Sequence, residues 1–155
     1  MAVDTTGLPE GLAEIATDFA DLPVPQRLQL LLEFSDELPD LPPHLADAPD
    51  RMEQVHECQS PLFLAVEVNG EGDPEDRVVH LHFSAPPEAP TTRGFAGILH
   101  EGLDGLTVGE VLAVPDDAPM RFSLAEAVSP LRLRGMSGML SRIKRQAALK
   151  AGTGS

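Results

Sequence analysis

The sequence predicts an α+β fold in which a small antiparallel sheet packs against N- and C-terminal helices. Apolar residues recur at helical spacing near both ends of the chain, whereas residues 62–68 and 78–84 alternate apolar and polar side chains like half-buried strands. A turn-rich segment at 69–76 separates the two alternating runs, which is the pattern of an antiparallel hairpin. Helices, then strands, then helices favour an α+β architecture over an alternating α/β one.

Length and composition limit the classes of protein to which this chain can belong. Its 155 residues suit one domain, with a core expected at about 8–150 and flexible ends at 1–7 and 151–155. The formal net charge of −14 argues against nucleic-acid binding, which requires cations to neutralise phosphates. No apolar run approaches the roughly 20 residues of a membrane span, and the N-terminus does not resemble a secretory signal. We therefore expect a cytoplasmic protein without membrane contacts.

The first two helices are predicted at 9–22 and 25–38. Pro9 suits the first turn of a helix, and two further prolines separate the segments. The two helices should pack as a helical hairpin. The apolar face carries Leu12, Ile15, Ala16, Phe19 and Leu22 in the first helix; in the second it carries Leu28, Leu31 and Leu32, with Leu30 and Phe34 beside it. Residues 39–50 contain four prolines and are predicted to be extended, followed by a short strand at 52–55.

Each alternating run divides its side chains between two faces of the predicted sheet. The buried faces are expected to carry Leu62, Leu64, Val66 and Val68 in one strand and Val79, Leu81 and Phe83 in the next. His80 and His82 then share the opposite face of the second strand. This arrangement predicts a two-stranded hairpin that buries one face against helices.

The remainder of the chain is predicted to be helical. A helix is expected at 91–103, and Thr107 with Glu110 has the spacing of a capping box. Ser129 followed by Pro130 is typical of an N-cap and a first helical position. The last helix carries an apolar stripe and should end near Gly152; the stripe consists of Leu133, Met136, Leu140, Ile143 and Ala147.

The only cysteine of the chain, Cys58, stands just before the first alternating run. Because Pro61 cannot donate a hydrogen bond to a sheet ladder, the regular strand should begin there and Cys58 should lie in a loop. A lone cysteine is more often a small buried hydrophobe than a nucleophile, so both alternatives stay open on the residues alone. Glu57 would raise the pKa of the thiol if its carboxylate pointed the same way.

Charge is distributed unevenly along the chain. Residues 1–50 hold eleven Asp and Glu against one basic residue, Arg27, whereas residues 132–150 hold six Lys and Arg and no acid. This asymmetry could steer a charged protein partner. The simpler interpretation is a solvated basic helix face that is favoured by the helix dipole.

Three segments resemble the SufE family over an alignable region of about residues 10–150. Residues 55–60, Val-His-Glu-Cys-Gln-Ser before an apolar strand, are similar to the family's active loop V-x-G-C-Q-S. Residues 129–136, Ser-Pro-Leu-Arg-Leu-Arg-Gly-Met, resemble its S/T-P-x-R-x-x-G-L segment, and residues 93–99 resemble its K/R-G-L-x-A segment. Glu57 is a departure, because the family usually has glycine there.

This resemblance implies a SufE/IscU-like fold and a sulfur carrier that is not itself an enzyme. Cys58 would take sulfane sulfur as a persulfide from a SufS-like cysteine desulfurase, stimulate that enzyme, and deliver the sulfur to a SufB-like iron–sulfur scaffold. Arg132 would stabilise a sulfur anion or contact the partner, with an ordinary surface arginine as the alternative. No cofactor or metal of its own is implied, since the pyridoxal phosphate belongs to the desulfurase.

Two other classes of function stay open. In a small metal-binding protein, His80 and His82 on one strand face would be joined by His56 and Cys58 from a neighbouring strand, a set of ligand types that suits zinc. Alternating histidines on an exposed strand face are common without any metal, so the sulfur carrier is the favoured hypothesis. In a pure adaptor, Cys58 would only be buried.

Overall fold

The computed structural model describes residues 4–58 and 60–152, and it confirms the predicted α+β fold with its antiparallel sheet. The elements, in chain order, are α1 Glu10–Ala20, α2 Val24–Glu37, α3 Pro43–Ala46, β1 Glu53–Gln54, β2 Phe63–Asn69, β3 Val78–Ser84, α4 Pro90–Leu103, α5 Val108–Leu112 and α6 Pro130–Ala151. Single 3₁₀ turns lie at Pro49–Arg51, Pro74–Asp76 and Ala118–Arg121.

The sheet has the order β1-β2-β3, and both pairings are antiparallel. Its register places Leu64 opposite Phe83 and Val66 opposite Leu81. The predicted inner face is confirmed, since all but one of its residues are buried and the exception, Val68, is partly buried; the buried ones are Leu62, Leu64, Val66, Val79, Leu81 and Phe83. The alternation in the sequence therefore identified the face that meets the helices.

The edges of the sheet are capped by groups from outside it. β1 is only two residues long, and beyond it the Val66 N–H donates to Gln146 Oε1 of α6 at 2.9 Å. Lys150 of the same helix donates to the Val66 carbonyl. On the other side, the Leu81 N–H donates to Asp104 Oδ1 at 2.7 Å. Such caps satisfy backbone groups that would otherwise offer a strand edge to another chain.

The N-terminal helices do not form the predicted hairpin as their main contact. α1 and α2 both pack chiefly on α4, and they meet each other through the rings of Phe19 and Phe34, with centroids 6.0 Å apart. Glycines in α4 cause this arrangement: a Cβ at Gly94 would lie 2.5 Å from the Leu31 carbonyl oxygen, so the glycine allows α2 to approach closely.

The proline-rich segment 39–50 was predicted to be extended. This prediction is wrong in part, because the segment contains α3. Pro42 at the N-cap and Pro43 in the first turn have the backbone angles that begin a helix. Leu45 is buried beneath this turn, and His44 reaches Glu67 of β2. The segment therefore covers the outer face of the sheet.

The predicted caps are confirmed in the C-terminal region. Thr107 and Glu110 make both hydrogen bonds of a capping box at the start of α5. The Ser129 hydroxyl accepts from the Arg132 N–H at 3.3 Å, and Gly152 ends α6 in the left-handed conformation at φ 83°. In the described part of the chain, no helix is both long and apolar enough to cross a membrane.

The expectation of flexible ends concerns residues that lie partly outside this description, namely 1–3 and 153–155. Of the adjoining residues, Asp4 and Thr6 accept hydrogen bonds from Arg121 through their carbonyl oxygens, at 3.2 and 2.9 Å. Ala151 is buried in the last turn of α6. Flexible ends stay a prediction.

Candidate functional site

Cys58 lies in the loop between β1 and β2, as predicted. The loop leaves the sheet at Val55, whose N–H donates to the Leu62 carbonyl oxygen at 2.8 Å, so the two ends of the loop are pinned together. The Cys58 N–H donates to the Val55 carbonyl oxygen at 3.2 Å, which turns the chain back on itself. The cysteine is partly buried and packs against the hydrophobic core. Both open alternatives, a buried side chain and a presented thiol, are compatible with this position.

The thiol rests directly on the backbone of α6. A Cβ at Gly135 would lie 2.9 Å from Cys58 Sγ, closer than real Cβ atoms come, and 3.4 Å from the Cys58 Cα. Glycine at this position therefore makes the seat for the sulfur, and any side chain would displace it. This contact joins the two segments on which the family resemblance depends.

Glu57 sits on the same helix, next to a second glycine. A Cβ at Gly138 would lie 2.7 Å from the carboxyl carbon of Glu57. Arg142, one turn further along α6, donates from Nη1 to Glu57 Oε2 at 2.7 Å. Arg142 Nε also lies 3.3 Å from Glu53 Oε2 of β1. The arginine thus ties α6 to both the strand before the loop and the loop itself.

The thiol is held in its neutral form in this arrangement. Burial, and secondly the negative charge of Glu57, raise the pKa of Cys58 to about 11, against a smaller opposing effect of Arg142. On the order of one thiol in 10⁴ would then be ionised at pH 7. The hydrogen bond from Arg142 lowers the pKa of Glu57, so its carboxylate is charged at neutral pH.

Arg132 does not contact Cys58 in this arrangement. Its side chain is exposed and, among the residues described, donates to no carboxylate or carbonyl oxygen; the same is true of Arg134. Arg132 precedes Gly135 by three residues and Leu131 precedes it by four, so both lie one turn before the thiol seat on that side of the helix. Leu131 is also exposed, at 46%. The surface beside the thiol therefore offers free cations and one apolar side chain.

The alternative metal site would gather His56, Cys58, His80 and His82. In the described ranges, no three His, Cys, Asp or Glu side chains are arranged to hold a metal ion. His82 Nε2 instead lies 2.7 Å from Glu67 Oε1, and His44 Nε2 lies 2.9 Å from Glu67 Oε2. His80 faces Asp104 at 3.7 Å. The predicted constellation is not formed, because the strand histidines pair with carboxylates on the outer face of the sheet.

Sequence reasoning missed three residues of this site: Gly135 as the thiol seat, Gly138 as the carboxylate seat, and Arg142. Their spacing of three and four residues places them on one face of a helix. Two glycines inside a helical pattern are unfavourable unless another segment approaches closely, and this was the available signal. The partner of Arg142 had no such signal, because Glu57 is 85 residues away in the chain.

Comparison with known proteins identifies the family. The model of the SufE family, described as an Fe-S metabolism associated domain, matches residues 13–147. An uncharacterised SufE-like protein of Mycobacterium tuberculosis is 57% identical over 139 residues, which cover 90% of this chain and 92% of that protein. SufE-like protein 1, chloroplastic/mitochondrial, of Arabidopsis thaliana is 29% identical over 140 residues, 90% of this chain but 35% of the plant protein.

A solved structure agrees with the fold. The solution structure of a hypothetical protein from Thermus thermophilus superposes with a TM-score of 0.76 at 38% sequence identity, covering 92% of this chain and 97% of that one. The family match spans the Cys58 loop, the sheet and most of α6, which together hold the site described above. The chain belongs to the SufE family, whose domain is associated with iron–sulfur metabolism.

Proposed function

We propose that this protein is a sulfur acceptor that carries sulfane sulfur as a persulfide on Cys58. One observation supports this above all: the single cysteine of a SufE-family chain sits in a loop seated on a helix glycine, partly buried and held as a neutral thiol.

The proposed step is a transfer between two sulfur atoms. The Cys58 thiol first loses its proton, and the thiolate attacks the outer sulfur of a persulfide on a cysteine desulfurase. The S–S bond of the donor breaks, a new S–S bond forms on Cys58, and the donor cysteine leaves as a thiolate. The transferred sulfur keeps its oxidation level, so no external oxidant or reductant is needed.

Burial protects the sulfur of Cys58 and lowers the reactivity of its thiol. A persulfide under a helix is shielded from free thiols and oxidants, whereas a thiol with a pKa of about 11 is a poor nucleophile at neutral pH. The loop must therefore move outward in the complex, where the sulfur loses its apolar surroundings and ionises more readily. We assign Arg132 the role of stabilising the anion or contacting the partner; its exposed side chain, one turn before the thiol seat, supports this assignment.

The partners follow from the same proposal. The donor is a SufS-like desulfurase, which brings its own pyridoxal phosphate, and the recipient is a SufB-like scaffold in the cytoplasm. The protein itself acts as an accessory carrier that stimulates the desulfurase, and it is not an enzyme. The exposed cations at the start of α6 suit a partner surface that is acidic.

An intact-mass measurement tests the proposal. After incubation with a cysteine desulfurase and free cysteine, the wild type should gain the mass of one or more sulfur atoms, and dithiothreitol should remove it. Cys58→Ser should fold and bind but gain no sulfur, because a serine hydroxyl is far less acidic than a thiol and cannot carry sulfane sulfur.

The same pair of proteins separates the carrier from an adaptor. Stimulation of desulfurase turnover should be lost in Cys58→Ser. Stimulation that survives in this variant would make the protein an adaptor, and sulfur acceptance that survives would overturn the assignment to Cys58.

A further inference from the structure

We propose that Glu57 and Arg142 form a latch that holds the Cys58 loop on α6 and controls how readily the thiol leaves its seat. Both are positioning residues, since they act on the sulfur through the loop. The role of the latch in sulfur transfer rests on the function proposed above, whereas its effect on thiol exposure does not.

The geometry of the pair ties three parts of the molecule together. Arg142 Nη1 donates to Glu57 Oε2 at 2.7 Å, and the second oxygen, Oε1, lies 2.5 Å from the same nitrogen. Arg142 Nε faces Glu53 of β1 at 3.3 Å, and Arg145 contacts Glu53 as well. The guanidinium is thus fixed from two sides, and the carboxylate beside the cysteine is fastened to a rigid helix.

The helix surface is shaped to receive this carboxylate. Gly138 leaves the space that the Glu57 side chain occupies. A methyl group at Gly138 would lie 3.0 Å from the Glu57 Cβ and 2.7 Å from the Glu57 carboxyl carbon. Gly135 does the same for Cys58, one turn earlier. A glycine at position 57 could make no contact with Arg142, so the latch depends on the glutamate that this chain has there.

Release of the thiol requires the latch to open. Glu57 and Cys58 are adjacent, so an outward movement of the loop that carries the Cys58 backbone off α6 pulls the Glu57 carboxylate away from Arg142. An ion pair that is partly shielded from water opens less often than an exposed one. The rate at which small reagents reach the thiol should follow the opening of this pair.

Arg142→Gln distinguishes a latch from a simple effect of charge, because the two predict opposite signs. Removing a cation near a thiolate raises the thiol pKa and slows its alkylation. Removing the latch frees the loop and exposes the thiol, which speeds alkylation. We expect reaction with iodoacetamide at about pH 8 to become roughly five-fold faster or more, the factor for losing one modest ion pair.

Gly138→Ala tests the same point without any change of charge. The added methyl group displaces the Glu57 carboxylate from its seat, while alanine in a helix interior favours the folded helix more than glycine does. Alkylation should again become faster. Arg145→Gln is the matched control: it removes the same charge from the same helix but contacts Glu53 and not Glu57, so the rate should stay at the wild-type value.

Each result has a definite meaning. Slower or unchanged alkylation in Arg142→Gln, with Gly138→Ala unchanged, would overturn the latch, as would an equal acceleration in Arg145→Gln. In strong denaturant all four proteins should react alike, which confirms that the differences arise in the fold.

The latch and the proposed function fail independently. If the variants react faster but neither they nor the wild type gain sulfur from a desulfurase and free cysteine, the latch stands and the carrier role fails. If the wild type gains sulfur while alkylation of the variants does not change as expected, the carrier role stands and the latch fails.

Discussion

The two halves of α6 carry the same kind of charge and use it differently. In residues 130–138, Arg132 and Arg134 point into solvent with no side-chain partner in the part of the chain that is described. In residues 139–151 each cation is engaged; the contacts are Arg142 with Glu57 and Glu53, Lys144 with Asp116 and the Val114 carbonyl, Arg145 with Glu53, and Lys150 with the Val66 carbonyl. One half fastens the helix, and the other is free to meet another molecule.

This contrast corrects the simpler interpretation of the basic cluster as one solvated face. Four of the six cations hold the sheet edge, the Cys58 loop and the segment before α6 in place. None of the four pairs with the acid-rich residues 4–50, so the uneven distribution of charge along the chain is not cancelled by contact between its ends. The free cations lie beside the thiol seat, where the proposed desulfurase would approach.

The largest difference between the two halves of α6 is expected at alkaline pH. It concerns the free energy of unfolding and arises from ionisation of Cys58, whose thiol is seated on the first half. The Cys58 pKa rises from its ordinary value of 9.0 to about 11 in the folded protein, so the unfolded chain binds fewer protons between these values. The free energy of unfolding therefore falls as pH rises through this window, by at most about 2 kcal/mol because solvent screens the partly buried thiol.

Cys58→Ser provides the reference for that measurement, because it removes the thiol while the other titrating groups stay. Chemical denaturation at several pH values between 8 and 11 should show the wild type losing more stability than the variant. Curves that stay parallel would mean that the thiol is not buried in solution.

A smaller effect is expected from the free cations. The double variant Arg132→Glu and Arg134→Glu should lower stimulation of a desulfurase by about tenfold, because like charges at an interface slow association and weaken it. The melting temperature should stay close to the wild-type value, since neither side chain has a partner to lose.

Lys144→Glu with Arg145→Glu makes the same change in net charge in the second half of α6. This control should lose stability through its broken ion pairs and keep its stimulation at temperatures where it is folded. An equal loss of stimulation in both double variants would assign the effect to net charge and not to the location of the cations.

Features that depend on neighbouring residues could be predicted from the sequence, and features that depend on distant residues could not. Local patterns predicted β3 at 78–84 and the cap at Ser129, and the structure has both. A period of two and a hydroxyl before a proline depend on neighbours in the chain, so they can be recognised there. The SufE resemblance singled out Cys58 as the candidate site residue but indicated nothing about the side chains that hold it.

Pairings between distant residues had no local signal. The contact of Glu57 with Arg142 spans 85 residues, and either charge alone looks like a solvated side chain in the sequence. The packing of α2 on α4 depends on glycines that were counted only as part of a family motif. Tertiary contacts decided both, and their chemistry becomes visible only when the two segments are placed together.

The smallest effect should come from an exposed ion pair in the second half of α6. Arg145 keeps 57% of its side chain exposed while it pairs with Glu53, and exposed pairs contribute at most about 1 kcal/mol. Arg145→Ala should therefore lower the free energy of unfolding by less than that amount and leave sulfur acceptance unchanged, measured by urea denaturation and intact mass. High salt should shrink the difference from the wild type, because it screens exposed charges. A loss of several kcal/mol would show that Glu53 depends on Arg145 as well as Arg142, and that the fastening of α6 acts as one network.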